Sequence, residues 1–430
     1  MWKLIINNLW SRRKRNGWLL AELILVSVVT WVIMDPVVVL LHDTSLPLGY
    51  DADRLYLIEM ASLDSHAQGY DEQASDSASR TDNFFRLMNK IRNYPGVESA
   101  SPLLVASYLN SQGNSSRGFQ VDSLSLFTRV MYFNPGQHYF ETYGIKAIPG
   151  SPSAEELSKA DYGEHDIVVT RNFAESLLPG KQAIGQQVFY VDYTGDTIYY
   201  RIAGVVENIR AYSGERASLV TFWPHSKWNI GEQTRMLVRL KPGISSGHFM
   251  NEFRPWMVKE LRAGNLFARS VISYPQLIKN YEYQWGTSNK IRLNVAVVIF
   301  FLINLCLGVI GTFWLQTRKR SEEAGIMRSF GATPGYIMRM LLGEGFVLCT
   351  LAFVMGCLGY LQYALKEGLY GINSFMSRIA DDDWISSFET HFLGVSLIVY
   401  IIILVVVLIG IYLPARNISR VNPVDALRDE

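Results

Sequence analysis

Four stretches of the chain are apolar over lengths that could cross a bilayer: Trp18 to Leu41, Leu293 to Leu315, Tyr336 to about Leu365, and Phe392 to Leu413. A hydrocarbon core of about 30 Å takes roughly 20 apolar residues of helix. No other window in the sequence is that long. The pattern therefore predicts spans at 18–41, 291–315, 336–365 and 392–413. Between them lie a large segment at 42–290, a short charged segment at 316–335 and a loop at 366–391, and a tail at 414–430 follows.

Within the large segment the period changes. "RLYLIEM" (54–60) reads as a strand, Phe84, Phe85, Leu87, Met88 and Ile91 recur at helical spacing, and "VESASPLLVASYL" (97–109) is extended again. The order returns downstream as "TRMLVRL" (234–240), a helix near 246–262, and "ARSVISY" (268–274). Two β-α-β runs predict a split subdomain from 42–111 and 233–280, a sheet with helices on one face. The intervening 112–232 holds "DIVVT" (166–170), "QQVFYVDY" (186–193) and "TIYYRIAGVV" (197–206) with glycines between, which predicts a β-rich insert. The expected fold class is an α-helical membrane protein with four transmembrane helices plus an α+β external domain.

Composition sharpens this picture. Of 430 residues, 49% are hydrophobic and 18% charged, a mixture of embedded and solvated parts. The formal charge of +1 indicates neither a nucleic-acid footprint nor an acidic tail. All three cysteines, Cys306, Cys349 and Cys357, fall in the apolar windows, so the large segment has no disulfide framework and no cysteine metal site. Lys and Arg cluster before the first span (Lys3, Arg12 to Arg15), between the second and third (Arg318, Lys319, Arg320, Arg328) and after the fourth (Arg416, Arg420, Arg428). The positive-inside rule then puts both termini and 316–335 in the cytoplasm, and 42–290 and 366–391 outside. Trp2, Ile5, Ile6 and Leu9 share a helical face ahead of the basic cluster, so 1–17 is expected to lie along the membrane surface in contact with lipids; the alternative is an extension of the first span.

Ionisable residues inside the spans are few: Glu22, Asp35, Arg339 and Glu344. Glu22 is expected to reach the interface or bond a neighbouring helix. Asp35 is expected to mark the outer boundary, with a new helical segment beginning at Pro36. Arg339 and Glu344 are five apart and fall on different faces, and Glu344 is expected to contact a packed helix or a cytoplasmic partner.

Catalytic signatures are missing. There is no G-x-x-x-x-G-K-[ST] loop, H-E-x-x-H, G-x-S-x-G or Cys-x-x-Cys. His138, His165 and His225 read as surface or packing residues, and no metal site is expected. The segment "RKRSEEAGIMRSFGATP" (318–334) is too charged for a plain connector. It predicts a short helix with an apolar ridge of Ile326, Met327 and Phe330 flanked by Glu322, Glu323 and Arg328, ended by Gly331 and followed by a helix starting at Pro334. Such a ridge either docks into a soluble partner or rests on lipid.

"EEAGIMRSFGAT" with "LLGEG" behind it resembles the segment joining the second and third helices of MacB and FtsX-like ABC transporter permeases. "PARNISRVNPVDALRDE" is similar to the C-terminal pattern of that family, and "VVTRNFAESLLPGKQAIGQQV…YRIAGVVENI" to its external core domain. The first span resembles a Bacteroidetes-like variant. Ala324 and Ile418 depart from residues usually Ile and Ala. The resemblance implies a non-catalytic permease whose coupling residues are Glu322, Glu323, Gly325, Ile326, Met327, Arg328, Phe330 and Gly331. It also implies a separate ABC ATPase subunit binding ATP and Mg, a second permease chain as homo- or heterodimer, and location in a bacterial inner membrane. Motion would pass from ATPase to periplasmic domain, for efflux of small molecules or peptides with an adaptor and outer-membrane channel. Lipoprotein release, FtsX-like signalling, and a sensor or scaffold without ATPase are the alternatives.

Overall fold

The structure is a computed structural model that describes residues 13–103, 109, 115–122, 124–192, 194–210, 216–225, 230, 234–284, 286–315, 317–370 and 384–420. It separates into two compact units, one spanning 42–287 and one made of the apolar helices that flank it in sequence.

The chain enters through helix α1 (Arg13–Ser45), which runs without a break through Pro36. Residues 1–12 of the expected surface helix lie outside the described residues, and 13–17 are already part of α1, so no element boundary falls at 17. There follow β1 (Leu55–Ser62), α2 (Ser77–Arg92), β2 (Val97–Leu103), β3 (Ser115–Val121), β4 (Leu124–Phe133), α3 (Tyr139–Tyr143), α4 (Ala154–Lys159), β5 (Asp166–Thr170), α5 (Arg171–Leu177), β6 (Gln187–Val191), β7 (Thr197–Val206) and β8 (Val220–Pro224). The unit closes with β9 (Arg235–Leu240), α6 (Ser246–Glu260), β10 (Arg262–Ala263), β11 (Leu266–Ser273) and α7 (Tyr274–Gln284).

Five strands form an antiparallel sheet in the order β10-β11-β1-β9-β2. Strand β1 is central because both its faces are apolar. Tyr56, Ile58 and Met60 pack with Phe84, Leu87 and Ile91 of α2 and Phe249, Phe253 and Met257 of α6. Leu55 and Leu57 point the other way, into a core with Phe133, Phe140, Tyr143 and Phe222. Helix α2 starts where Asp76 Oδ1 accepts from the Ala78 and Ser79 amides at 2.9 and 3.0 Å, satisfying donors that a helix start leaves open.

The insert is a closed barrel in the order β3-β4-β8-β5-β7-β6. It closes where Phe119 pairs with Tyr190 and Gln120 with Phe189. Two of its pairings, β4 with β8 and β5 with β7, are parallel. Phe119, Ile167, Val169, Phe173, Val188 and Ile202 fill one core of the insert. Its three short helices, absent from the β-rich expectation, are too brief to announce themselves by periodicity; α3 buries Tyr139, Phe140 and Tyr143 within a single turn and a half.

The helical unit continues with α8 (Thr287–Leu315), α9 (Thr317–Ser329), α10 (Pro334–Glu367) and α11 (Phe388–Ser419). Among the described residues, four helices are long and apolar enough to cross a membrane. Helices α1, α10 and α11 share one core that includes Leu23, Trp31, Leu348, Ala352, Tyr360, Val399 and Ile403. Helix α8 contributes little to it, leaving Leu293, Phe300, Ile303 and Leu307 exposed within this chain. Helix α11 begins four residues ahead of the expected span and passes through Pro414 into the expected tail, of which 421–430 lie outside the described residues.

Candidate functional site

Helix α9 ends by a specific device. Gly331 has φ +90°, the left-handed region, its amide donates to the Arg328 carbonyl at 2.9 Å, and the Ala332 amide donates to the Met327 carbonyl at 2.9 Å. This pair of bonds is a Schellman motif, which satisfies carbonyls that a helix end leaves open. Thr333 then caps α10, its hydroxyl accepting from the Tyr336 amide at 3.3 Å, and Pro334 supplies the first helical residue, where no amide is needed. "FGATP" is thus a stop followed directly by a start.

This fixed turn divides the predicted coupling residues between two faces. Ala324 and Gly325 are buried, and Ala324 and Met327 pack into the core of α1, α10 and α11. Ile326 and Phe330, one turn apart, are 46% and 88% exposed. Glu322 is exposed, and Glu323 and Arg328 are half-buried. The expected ridge of three apolar residues therefore reduces to Ile326 and Phe330. Met327 is turned inward because its position, three after Ala324, places it on the face that meets the core. The two departures from the family pattern, Ala324 and Ile418, are buried in that same core at 3% and 1% exposure.

The polar residues of the spans take three different positions. Glu22 is half-buried against Gly308 of α8, where a Cβ would meet its carboxylate. Glu344 is buried at 2% exposure. Asp35 lies within α1, which continues ten residues beyond it, and its side chain is 3% exposed. Asp35 Oδ1 lies 2.6 Å from His391 Nε2, Oδ2 accepts from the Tyr370 amide at 3.0 Å, and His391 Nδ1 lies 3.1 Å from the Ile385 carbonyl. A carbonyl only accepts, so Nδ1 carries hydrogen, and the short Nε2 to Oδ1 contact then needs a proton of its own. Either as imidazolium with carboxylate or as imidazole with carboxylic acid, the pair is neutral overall. That lets it sit where a lone charge would be expelled.

Nearby, Trp31 stacks on Tyr360 with centroids 3.9 Å apart and donates from Nε1 to Ser396 Oγ at 2.9 Å, to which Cys357 Sγ also donates at 3.4 Å. Below these, the close approach of α1 and α10 depends on Gly356, where a Cβ would meet Ser27 Oγ and lie 3.3 Å from the Ile24 carbonyl oxygen. His391, Trp31 and Ser396 were not singled out in the sequence. The available signal was a titratable residue at the edge of an apolar window.

In the unit at 42–287, a half-open cleft of about 640 Å³ on the insert is lined by Ile148, Arg171, Glu175, Leu178, Lys181 and Ile184. Arg171 Nη2 is tied to Glu207 Oε1 at 2.6 Å. On β5 and β7, Arg201 donates from Nε and Nη2 to the two oxygens of Asp166 at 2.7 and 2.8 Å. These bonds, aided by the Gly163 amide, hold the Asp166 carboxyl below its usual range. Among the described residues, no group of three or more His, Cys, Asp and Glu side chains is placed to hold a metal ion.

Residues 295–423, which contain most of α8 and all of α9, α10 and α11, match the model of the FtsX-like permease C-terminal domain. In sequence the chain resembles MacB and FtsX-like permeases. MacB of Acinetobacter baylyi, a macrolide export ATP-binding/permease protein, is 22% identical over 397 residues, which are 90% of this chain and 55% of that protein. MacB of Chromobacterium violaceum is 26% identical over 310 residues, 69% of this chain and 42% of its own. The chain spans about half the length of these curated relatives. The periplasmic region of MacB from Actinobacillus actinomycetemcomitans aligns with 54% of this chain and 94% of its own at 13% identity and a TM-score of 0.32.

Proposed function

We propose that this permease couples an ABC ATPase to its external domain, with α9 as the element the ATPase grips. The observation that carries this is the split face of α9. Its Ala324 and Met327 side is packed into the core of the helical unit while Ile326 and Phe330 are presented outward, Phe330 at 88% exposure. A helix anchored on one side and apolar on the other can pass a push to α10 and α11. A helix merely resting on lipid needs no such anchoring.

ATP and Mg are assigned to the ATPase, since this sequence has no phosphate-binding loop. Pairing with a second permease chain is supported by α8, whose apolar side chains are left uncovered here. Both termini and α9 are placed in the cytoplasm of a bacterial inner membrane, with 42–287 in the periplasm, as the Lys and Arg distribution indicates. The output is efflux of small molecules or peptides with an adaptor and outer-membrane channel, supported by the macrolide-export relatives and by the cleft on the insert.

The test is co-purification of the ATPase with two substitutions one helical turn apart in role. Phe330→Asp adds a charge to an exposed position, so membrane levels stay normal while ATPase association and transport fall. Truncating a central docked aromatic typically costs about 2–4 kcal/mol. Met327→Asp faces the core and lowers the amount of folded permease itself. If Phe330→Asp and Glu323→Lys both keep full association and transport, α9 is a lipid-resting turn, and a sensor or scaffold without ATPase replaces the coupling reading.

A further inference from the structure

A groove runs between α10 and α11 at the end of the helical unit where α10 begins. It has a volume of about 550 Å³ and is lined by Leu342, Gly343 and Phe346 of α10 and Leu408, Ile409 and Tyr412 of α11, with Arg339 at its mouth. On α10 these residues fall at i, i+3, i+4 and i+7 from Arg339, a single stripe along the helix. The walls are almost wholly apolar, so water is a poor occupant.

Arg339 makes the groove unusual. It is exposed, and among the described residues it has no hydrogen bond and no ion pair. The Tyr412 hydroxyl at the same mouth is likewise without a partner among the described residues. A guanidinium is always charged and is costly on an apolar, bilayer-facing surface unless it meets an anion. Arg339 is five residues into α10, about 8 Å along the axis, a depth from which an arginine side chain reaches the headgroup level. Tyrosine is also favoured at that level.

We propose that this groove binds one glycerophospholipid of the leaflet on the α9 side. One acyl chain lies between Leu342, Phe346 and Leu408, and the phosphate is held by the Arg339 fork with the Tyr412 hydroxyl beside it. The anion is what the exposed guanidinium recognises, bidentately, and a fluid acyl chain fills an irregular apolar trough. Because α9 packs against α11, the lipid is seated beside the helix assigned to ATPase contact. The inference rests on the membrane-spanning reading of these helices and adds to it a ligand site in the bilayer.

The experiment is native mass spectrometry of the full chain released from mild detergent, with equal amounts of palmitoyl-oleoyl phosphatidylglycerol and phosphatidylcholine added. Wild type should retain one lipid per chain with phosphatidylglycerol preferred. Arg339→Gln should reduce that preference at least about tenfold, the loss expected for a charge-assisted contact, and Arg339→Lys should restore part of it. Leu408→Trp, which fills the trough, should remove both lipids. Because Arg339 is exposed, Arg339→Gln leaves folding intact and stays informative if the tryptophan variant fails to fold. The proposal is overturned if wild type retains no lipid, if Arg339→Gln keeps the full preference, or if Ile409→Cys in a chain lacking the native cysteines cross-links to a second copy. Carbonate extraction of the same membranes separates the two readings. Wild type released by carbonate sinks the membrane assignment itself, whereas wild type that stays embedded without bound lipid sinks the lipid site alone.

Discussion

Breaking the Asp35–His391 pair tests most directly how α1 is held to α11. Both side chains are essentially inaccessible, at 3% and 0% exposure. Asp35→Leu removes an acceptor of the Tyr370 amide and the partner of His391 Nε2. Each buried polar group left unpaired costs about 1–3 kcal/mol, so the change should destabilise by roughly 2–5 kcal/mol. His391→Leu leaves the carboxylate with the Tyr370 amide alone, and removing one member of a buried pair costs about 3–5 kcal/mol. In the double variant the Tyr370 amide loses its Asp35 acceptor and the Ile385 carbonyl its His391 donor, about 3 kcal/mol in all. The double change should therefore be milder than the two singles added, by roughly 2–7 kcal/mol of coupling. Asp35→Asn retains both bonds, its oxygen accepting from Tyr370 and its amide donating to neutral His391, and should cost no more than about 1 kcal/mol. Unfolding of the full chain in mixed detergent micelles at a series of denaturing-detergent ratios measures all four. Strict additivity in the double variant, or an Asn variant as damaged as the Leu variant, would refute the pairing argument.

Three further expectations follow from particular positions. Gly331→Ala puts a Cβ on a residue at φ +90°, which costs about 1–2 kcal/mol; since the site is open, the strain should appear as weaker ATPase association with unchanged permease levels, and an unaffected complex would argue against a fixed turn. Asp166 is held below its usual range by Arg201, so its folded value lies under its unfolded one; the stability it adds is present above about pH 4 and lost as pH falls through the folded value. The melting-temperature gap between wild type and Asp166→Asn should be open at pH 7 and close as pH is lowered through 4 towards 3, and a gap constant over that range would remove the linkage. Thiols introduced at Ser151 and Phe330 in a chain lacking the native cysteines should react with an impermeant label from the outside and the inside respectively, and external labelling at 330 would invert the topology.

Local periodicity was enough to place the apolar helices and the edges of the sheet subdomain, because each is decided by which faces of a short segment must leave water. The alternation in "RLYLIEM" and the spacing of Phe84, Leu87, Met88 and Ile91 carry over directly into β1 and α2. The stop and start at "FGATP" were equally legible, since glycine and proline encode backbone geometry on their own. Chain order could not reveal what depends on residues far apart meeting. Closure of the barrel rests on Phe119 finding Tyr190 across intervening strands. Burial of Asp35 rests on its meeting His391, 356 residues away, with which it shares a proton. The direction of Met327 rests on where α11 packs, and period alone gives a helix its stripe but not the neighbour that covers it. Pro36 marks the same limit: read locally it suggests a new helix start, yet packing of α1 against α10 and α11 carries the helix through it, because tertiary burial outweighs one missing hydrogen bond.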